Sequence, residues 1–224
     1  MSQTFGKTRW KRFAVVMVPT IAATAAVGIS IAQGALAASF SVSGQQFEVS
    51  AGHLHGDNFR QYGTVLDGTK TPSNPSGKDP VAVSGFDSAT INQLCQSVDF
   101  PVPGLGDFTL RIDAGGSYDA KTGKASGPVV SATGLFISMS DLKADSAVFN
   151  GMNIGVATGD VGTAAGQTSP GTTFNGPTNP GAFAQTAESA DLTGVQQTAW
   201  ATSAATFTLN GMHLHLDSGN TGCF

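Results

Sequence analysis

Four histidines are the residues of this chain whose type and spacing could most readily do chemistry. They form two His-x-His pairs, His53/His55 and His213/His215. On a β-strand, residues i and i+2 project to the same face, so each pair could present two imidazoles to one metal ion. Two such strands side by side could complete a tetrahedral four-nitrogen site, which suits zinc. The spacing therefore predicts a metal site at these four histidines, with chance surface histidines as the alternative.

Signatures of enzymatic chemistry are missing. The elbow Gly-x-Ser-x-Gly, which exposes the serine of many hydrolases, does not occur, and in Gly123–Gly127 the serine comes one place late. Phosphate-binding glycine loops and the spacing of a calcium loop are absent too. The sequence favours a non-enzymatic protein without a cofactor. It leaves open a serine that meets a histidine only in the folded chain.

The cysteines form one pair, Cys95 and Cys223. In an oxidising compartment an even count favours a disulfide bond, and two buried free thiols are the alternative. We predict a Cys95–Cys223 bridge, which would tie the C-terminus to the middle of the chain. In the chain-entropy model, a loop of this length corresponds to a stabilisation of about 4 to 5 kcal/mol before strain is subtracted.

The N-terminus has the pattern of an export signal. The first 12 residues contain four basic side chains and no acidic one, and residues 13–36 carry no charge. The apolar run ends on Ala35-Leu36-Ala37, small residues of the kind that signal peptidase recognises. We predict a signal peptide over residues 1–37, with an uncleaved membrane anchor as the alternative, because about 20 apolar residues can span a bilayer.

The remaining chain, residues 38–224, is acidic. It keeps seven of the 11 basic residues and all 15 acidic residues, so its net charge is −8. A domain of this sign lacks the electrostatic footprint of a nucleic-acid or anionic-membrane binder, which leaves the N-terminal segment as its only predicted membrane contact. Its 187 residues suffice for one well-buried core. We expect a single domain that is secreted or associated with the cell envelope.

Strand patterns dominate residues 38–224. Apolar residues alternate with Ser, Thr, Asn and Gln over short runs, which Gly, Pro and Asp interrupt. Clear examples lie at residues 40–51, 108–112 and 135–139. The pattern predicts an all-β domain, either an antiparallel β-sandwich or an elongated curled β-sheet built from hairpins.

Two Asn-Gly dipeptides, Asn150-Gly151 and Asn210-Gly211, lie between strand-like runs. Asn-Gly is the preferred sequence of the type I′ turn, in which both central residues have positive φ. We therefore predict two tight hairpins at these positions. In the second hairpin, His213 and His215 would lie on the wetter face.

Three segments repeat one order of residue types, namely acid, Ser, Ala, any, apolar, Asn or Thr, Gly or Gln, apolar. They are residues 87–94, 145–152 and 188–195. Because their starts are unevenly spaced, a regular solenoid is excluded. We interpret the repeat as one strand-turn-strand device used several times in a single sheet system.

The apolar content suggests a ligand. Twelve phenylalanines and Trp200 remain beyond residue 37 and could line a lipid-sized groove. The alternative is that these side chains simply form the core. The composition alone does not separate the two.

Several blocks of the sequence resemble an uncharacterised family of exported actinobacterial proteins. The blocks are Thr8–Pro19, Gln33–Phe40, Val83–Phe86, Leu94–Val98 and Gln196–Thr202. Members of that family are often labelled cholesterol esterase, although the family has no recognised catalytic motif and its function is unknown. The resemblance implies an extracytoplasmic setting, and it supplies no catalytic residue. The paired histidines are not part of the family pattern.

Together these features predict an exported, non-enzymatic β-domain that binds an apolar, lipid-like ligand or a partner surface. One alternative is a self-assembling surface-layer or filament protein, in which exposed strand edges pair between chains. The other is a secreted esterase acting on sterol or lipid esters, which the family label suggests.

Overall fold

A computed structural model describes residues 45–67, 74–161 and 181–224, and the predicted signal peptide lies outside these residues. The described chain forms eleven strands and one short 3₁₀ helix, Thr158–Asp160. The strands are β1 (Phe47–Asp67), β2 (Lys78–Val102), β3 (Gly106–Ala114), β4 (Ser117–Asp119), β5 (Lys124–Ser126), β6 (Val130–Lys143), β7 (Ser146–Asn150), β8 (Asn153–Ala157), β9 (Phe183–Ser203), β10 (Thr206–Thr208) and β11 (His213–Ser218). Within the described part of the chain, no helix has the length and apolar character needed to cross a membrane.

Nine of the strands form one antiparallel sheet, and β4 and β5 form a separate pair. The predicted all-β, antiparallel fold is confirmed, and the large single sheet corresponds to the curled-sheet alternative. The four longest strands pair in a closed cycle, because β1 pairs with β2 and β9 while β6 also pairs with both β2 and β9. We call these four strands the strand ring.

The apolar core lies inside the strand ring. Alternation along each strand turns one set of side chains inward, including Leu54, Phe86 and Leu135. Small residues such as Ala190 let the facing strands approach one another. At Gly56 even a Cβ atom would come within 2.2 Å of the Phe86 ring, so this strand position requires glycine. A ring of only four strands therefore encloses a filled interior.

Two of the three repeated sequence segments mark kinks within strands, and the third marks the break between β7 and β8. The seventh residue of each repeat, Gln93, Gly151 or Gly194, has a positive φ of 53°, 61° or 61°. A single residue in the left-handed conformation interrupts the alternation of side chains between the two faces, so side chains before and after it can lie on the same face. Ile91 and Leu94 are accordingly both buried in the core. The strand-turn-strand interpretation is wrong at Gln93 and Gly194, where the strand continues through the kink.

Neither Asn-Gly dipeptide forms the predicted hairpin. β7 and β8 follow one another along the edge of β9, and β10 pairs with β6 while β11 pairs with β3. The type I′ turn requires positive φ at both central residues. Among described non-glycine residues only Asn58 and Gln93 have positive φ, so Asn150 and Asn210 do not adopt it. At Asn150-Gly151 the chain therefore continues along the same partner strand, and at Asn210-Gly211 it moves to a different partner strand.

Part of the sheet continues beyond the strand ring. Residues 94–102 of β2 pair with β3, and β3 pairs with β11, which ends the sheet. We call these three segments the extension. Its two faces differ, since one carries histidine, arginine and aspartate side chains and the other carries leucine, isoleucine and valine.

Candidate functional site

The two histidine pairs lie on strands that are not neighbours. His53 and His55 belong to β1 in the strand ring, whereas His213 and His215 belong to β11 at the end of the extension. β2 and β3 lie between these strands in the sheet. The four histidines therefore do not converge on one ion, and each pair has its own surroundings.

The first pair is surrounded by carboxylates. His55 Nδ1 lies 2.8 Å from Asp191 Oδ1, and its Nε2 lies 3.5 Å from Asp57 Oδ1. His53 Nε2 lies 3.5 Å from the same Asp191 oxygen, and its ring stacks on Tyr118. The hydrogen bond to Asp191 is the main reason why the pKa of His55 is raised. Both nitrogens of His55 thus already have an acidic partner.

A hydroxyl group also reaches this cluster, but it contacts the acid. Ser88 Oγ donates to Asp57 Oδ2 at 2.6 Å. A serine nucleophile requires a hydrogen bond to its general base, which is usually an imidazole. In the described residues no hydroxyl group hydrogen-bonds to a histidine ring. The arrangement of Ser88, Asp57 and His55 therefore does not activate the serine.

The second pair lies opposite an aspartate on the neighbouring strand. His213 is paired with Asp113 of β3 across the ladder, and His215 is paired with Arg111. One ligand atom from each of Asp113, His213 and His215 lies within 4.8 Å of the others. His215 Nε2 also lies 3.1 Å from Asp217 Oδ2. Among the described residues, Asp113, His213 and His215 thus have the mutual spacing of metal ligands.

Arg111 fixes the orientation of the Asp113 carboxylate. Its Nε donates to both oxygens at 3.0 and 3.2 Å, and its Nη2 donates to Oδ1 at 3.1 Å. This hydrogen bonding is the main reason why the pKa of Arg111 is raised. The guanidinium occupies one side of the carboxylate and leaves other lone pairs free.

The C-terminal segment covers part of the polar face of the extension, next to the second histidine pair. Cys95 and Cys223 lie at disulfide distance, with Sγ atoms 1.99 Å and Cα atoms 5.8 Å apart, as the sequence predicts. The Cys223 N–H donates to Glu48 Oε2 at 2.9 Å, and the Thr221 N–H donates to Thr109 Oγ1 at 3.0 Å. Thr109 is fully buried as a result. A polar strand face is thus enclosed by the end of the chain.

A cavity of about 530 Å³ lies beside the disulfide bond. Its floor follows one row of paired residues across four strands, Gln196, Ser50, Cys95 and Asp113. Its other polar lining residues are Gln93, Arg111, Lys143 and Asp145. The cavity is therefore polar and carries both signs of charge, and it adjoins the second histidine group through Asp113.

The opposite face of the extension carries apolar side chains, which are partly exposed on β2 and β3 and largely exposed on β11. Leu214 and Leu216 of β11 are 52% and 55% exposed. Across the ladder they are paired with Ile112 and Leu110, and Leu110 is paired in turn with Val98. These side chains form one continuous surface without charge.

Sequence reasoning missed the acidic partners of both histidine pairs. Asp191 is 136 residues from His55, and Asp113 is 100 residues from His213, so local spacing carried no signal. The alternating pair Arg111-x-Asp113 was a clue that β3 has one charged face. Only the strand order reveals that this face lies next to His213.

Comparisons with known proteins identify a family without assigning a function. Residues 43–224 match a family of unknown function (DUF6230). No curated protein and no solved structure matches the chain. Any function must therefore be argued from the geometry described above.

Proposed function

Because the chain belongs to the DUF6230 family, whose function is unknown, we propose a function from its geometry: an exported, non-enzymatic protein that assembles with a second copy of itself through strand β11. Export is supported by the basic and apolar pattern of residues 1–37. It is also supported by the Cys95–Cys223 pair, because disulfide bonds persist in oxidising compartments. The partner surface predicted from the sequence is then the same surface of another copy.

The observation that carries the proposal is the exposed edge of the extension. In the described residues β11 pairs only with β3, so its other edge offers free N–H and C=O groups to a further strand. Sheet edges are usually protected by proline, lysine or a bulge. β11 contains none of these, and its exposed Leu214 and Leu216 extend the apolar face up to the edge.

The sequence of β11 is complementary to itself. An antiparallel two-fold pairing centred on His215 places Leu214 opposite Leu216 of the second copy. The same register places His213 opposite Asp217 of the second copy. Each face would thus continue across the dimer, with leucine against leucine on one face. On the other face, two His213–Asp217 pairs of imidazole and carboxylate would flank His215, which lies opposite its own counterpart. This charge complementarity favours a second copy over an unrelated strand.

A lipid-like ligand has weaker support. Inside the strand ring, the cavity lined by described core residues has a volume of about 20 Å³, far below the roughly 300 Å³ or more of typical small-molecule pockets. The larger cavity beside the disulfide bond is polar. The apolar residues of this chain therefore support a core and an exposed surface better than an enclosed lipid site. Within the part of the chain that the structure describes, no hydroxyl and imidazole pair supports the esterase alternative.

Sedimentation velocity of the full chain, in the form that the cell produces, tests the proposal. Self-association is expected to rise with protein concentration towards a dimer. Leu216→Lys places a charge in the proposed pairing surface and should weaken association at least about tenfold, or about 1.4 kcal/mol.

Ile154→Lys is the matched control, because Ile154 is an aliphatic residue 68% exposed on β8, away from β11. It should leave association unchanged. A wild-type protein that stays monomeric at every concentration would contradict the proposal. If both lysine variants changed self-association equally, the interface would not be at β11.

A further inference from the structure

We propose that Asp113, His213 and His215 bind a divalent late transition-metal ion, with zinc as the representative case. This inference goes beyond self-assembly and does not require it. Two imidazole nitrogens and one carboxylate oxygen lie within 4.8 Å of one another, which is the spacing of ligands around one ion. The residues come from two neighbouring strands of the extension, so the sheet ladder holds them in place.

The surroundings of His215 favour one of its nitrogens for the metal. Its Nε2 lies at ion-pair distance, 3.1 Å, from Asp217 Oδ2, so the tautomer with a proton on Nε2 directs that proton's side of the ring towards the carboxylate. Nδ1 then carries a lone pair, and it is buried without a hydrogen-bond partner among the described residues. Histidines that bind metals typically donate their other N–H to a carboxylate in this manner. A buried acceptor without a partner is costly, and a bound ion would remove that cost.

The choice of metal follows from the ligand types. Imidazole suits zinc, copper and nickel, whereas magnesium and calcium prefer sites made of oxygen ligands alone. Asp113 is held by Arg111 on one side, and its remaining lone pairs are available. Three protein ligands leave one tetrahedral position for water or another small ligand. Among the three proposed ligands, Asp113 also lines the polar cavity beside the disulfide bond.

The other histidine pair serves as an internal comparison. Both nitrogens of His55 face carboxylates, at 2.8 Å from Asp191 and 3.5 Å from Asp57. No group of three ligand atoms with the required mutual spacing occurs there, as far as the described residues extend. The two pairs have the same sequence spacing, so a difference in affinity would reflect their surroundings.

Titration calorimetry with Zn²⁺ on the full chain tests the inference, using untagged protein stripped with a chelator. One zinc ion per chain is expected. The double variant His213→Asn/His215→Asn should lose at least about 100-fold in affinity, and Asp217→Asn about 10- to 100-fold. The matched double variant His53→Asn/His55→Asn should keep the wild-type affinity. Circular dichroism of each metal-free variant checks its folding.

A second readout identifies the ligands directly. The electron paramagnetic resonance spectrum of the Cu²⁺-loaded protein should show splitting from two imidazole nitrogens, which the His213→Asn/His215→Asn variant should lose. If that variant fails to fold, Asp113→Asn should still lower zinc affinity while keeping the two-nitrogen spectrum. Wild-type protein without zinc affinity would overturn the inference, as would a loss confined to the His53→Asn/His55→Asn variant. Leu216→Lys should keep its zinc, which separates this test from that of self-assembly.

Discussion

The strand ring and the extension are built from the same kind of strand, yet the apolar face is buried in the ring and exposed at the end of the extension. In the ring, β6 pairs with both β2 and β9, so the sheet closes and the inward side chains are buried. In the extension, β11 ends the sheet and leaves Leu214 and Leu216 exposed. Alternation therefore determines which residues share a face, and closure determines whether that face is covered.

The largest expected difference concerns charged pairs in the two regions. In the ring, Arg60 is 5% exposed, forms an ion pair with Asp87 and lies 5.5 Å from the centre of the Phe136 ring. Arg60→Ala would leave the Asp87 carboxylate buried without its cation, at a cost of about 3 to 5 kcal/mol in unfolding free energy. Arg111→Ala, in the partly exposed pair with Asp113, should cost about 1 kcal/mol or less.

Urea denaturation of both variants measures this contrast. The double variant Arg60→Met/Asp87→Leu removes both charges and should recover most of the lost stability, because an apolar pair avoids the desolvation of two ions. The burial that lowers the pKa of Arg60 is the same desolvation. Equal costs for Arg60→Ala and Arg111→Ala would mean that the two pairs are solvated alike.

A pair of leucines gives the next contrast. Leu135 is 1% exposed inside the ring, and Leu216 is 55% exposed on the extension. Leu135→Ala should lower the unfolding free energy by about 2 to 5 kcal/mol, since it leaves a cavity. Leu216→Ala should change it by about 0.5 kcal/mol or less when measured on dissociated protein. A large effect of Leu216→Ala in the monomer would indicate that another part of the chain covers this face.

The sequence was sufficient for the fold class and for the cysteine pair, because alternation and an even cysteine count are local or compositional signals. It was insufficient for the strand order. The Asn-Gly dipeptides looked like hairpins, but Asn150 and Asn210 keep negative φ and the chain continues along β9 or moves to another partner strand. The repeated segments are visible in the sequence, but the kinks at Gln93 and Gly194 depend on backbone angles that the residue types alone do not specify.

For the candidate site, the sequence predicted the histidine pairs but not their acidic neighbours. Spacing alone selected both histidine pairs, since i and i+2 share a strand face. Nothing local could distinguish His213/His215, which lie beside Asp113, from His53/His55, which lie beside Asp191. That distinction comes from pairing between segments about 100 residues or more apart in the chain.

Contacts between the polar face of the extension and the C-terminal segment should contribute to the stability of the fold. Thr109 is fully buried there. Its Oγ1 lies within hydrogen-bond distance of an Asp99 carboxylate oxygen and of the Gly219 carbonyl, either of which can accept its one proton, and it accepts from the Thr221 N–H. Thr109→Val would leave these groups without their partner, at a cost of about 1 to 3 kcal/mol. Thr206→Val on the exposed strand β10 is the control and should be nearly neutral. Equal denaturation midpoints for both variants would show that the C-terminal segment does not enclose Thr109.

The smallest expected effect lies on the outer face of the ring, where Asp191 raises the pKa of His55. A raised pKa in the folded state means that the protonated imidazole stabilises the fold. This contribution is complete below the unfolded value of about 6.5 and is lost as the pH rises through the folded pKa. Wild type should therefore exceed His55→Gln in stability near pH 5.5, and the advantage should shrink by about pH 8.

Thermal unfolding of wild type and His55→Gln, measured across this pH range, gives the stability of each protein as a function of pH. Because the His55 side chain is more than one third exposed, salt should screen the ion pair and reduce the advantage at low pH. Asp191→Asn should remove most of the same pH dependence, since the hydrogen bond to Asp191 is the main cause of the raised pKa. Parallel curves for wild type and His55→Gln would mean that the imidazole gains no net stabilisation from Asp191. The ring's first histidine pair would then be only a solvated surface feature, and the contrast with His213/His215 would become sharper.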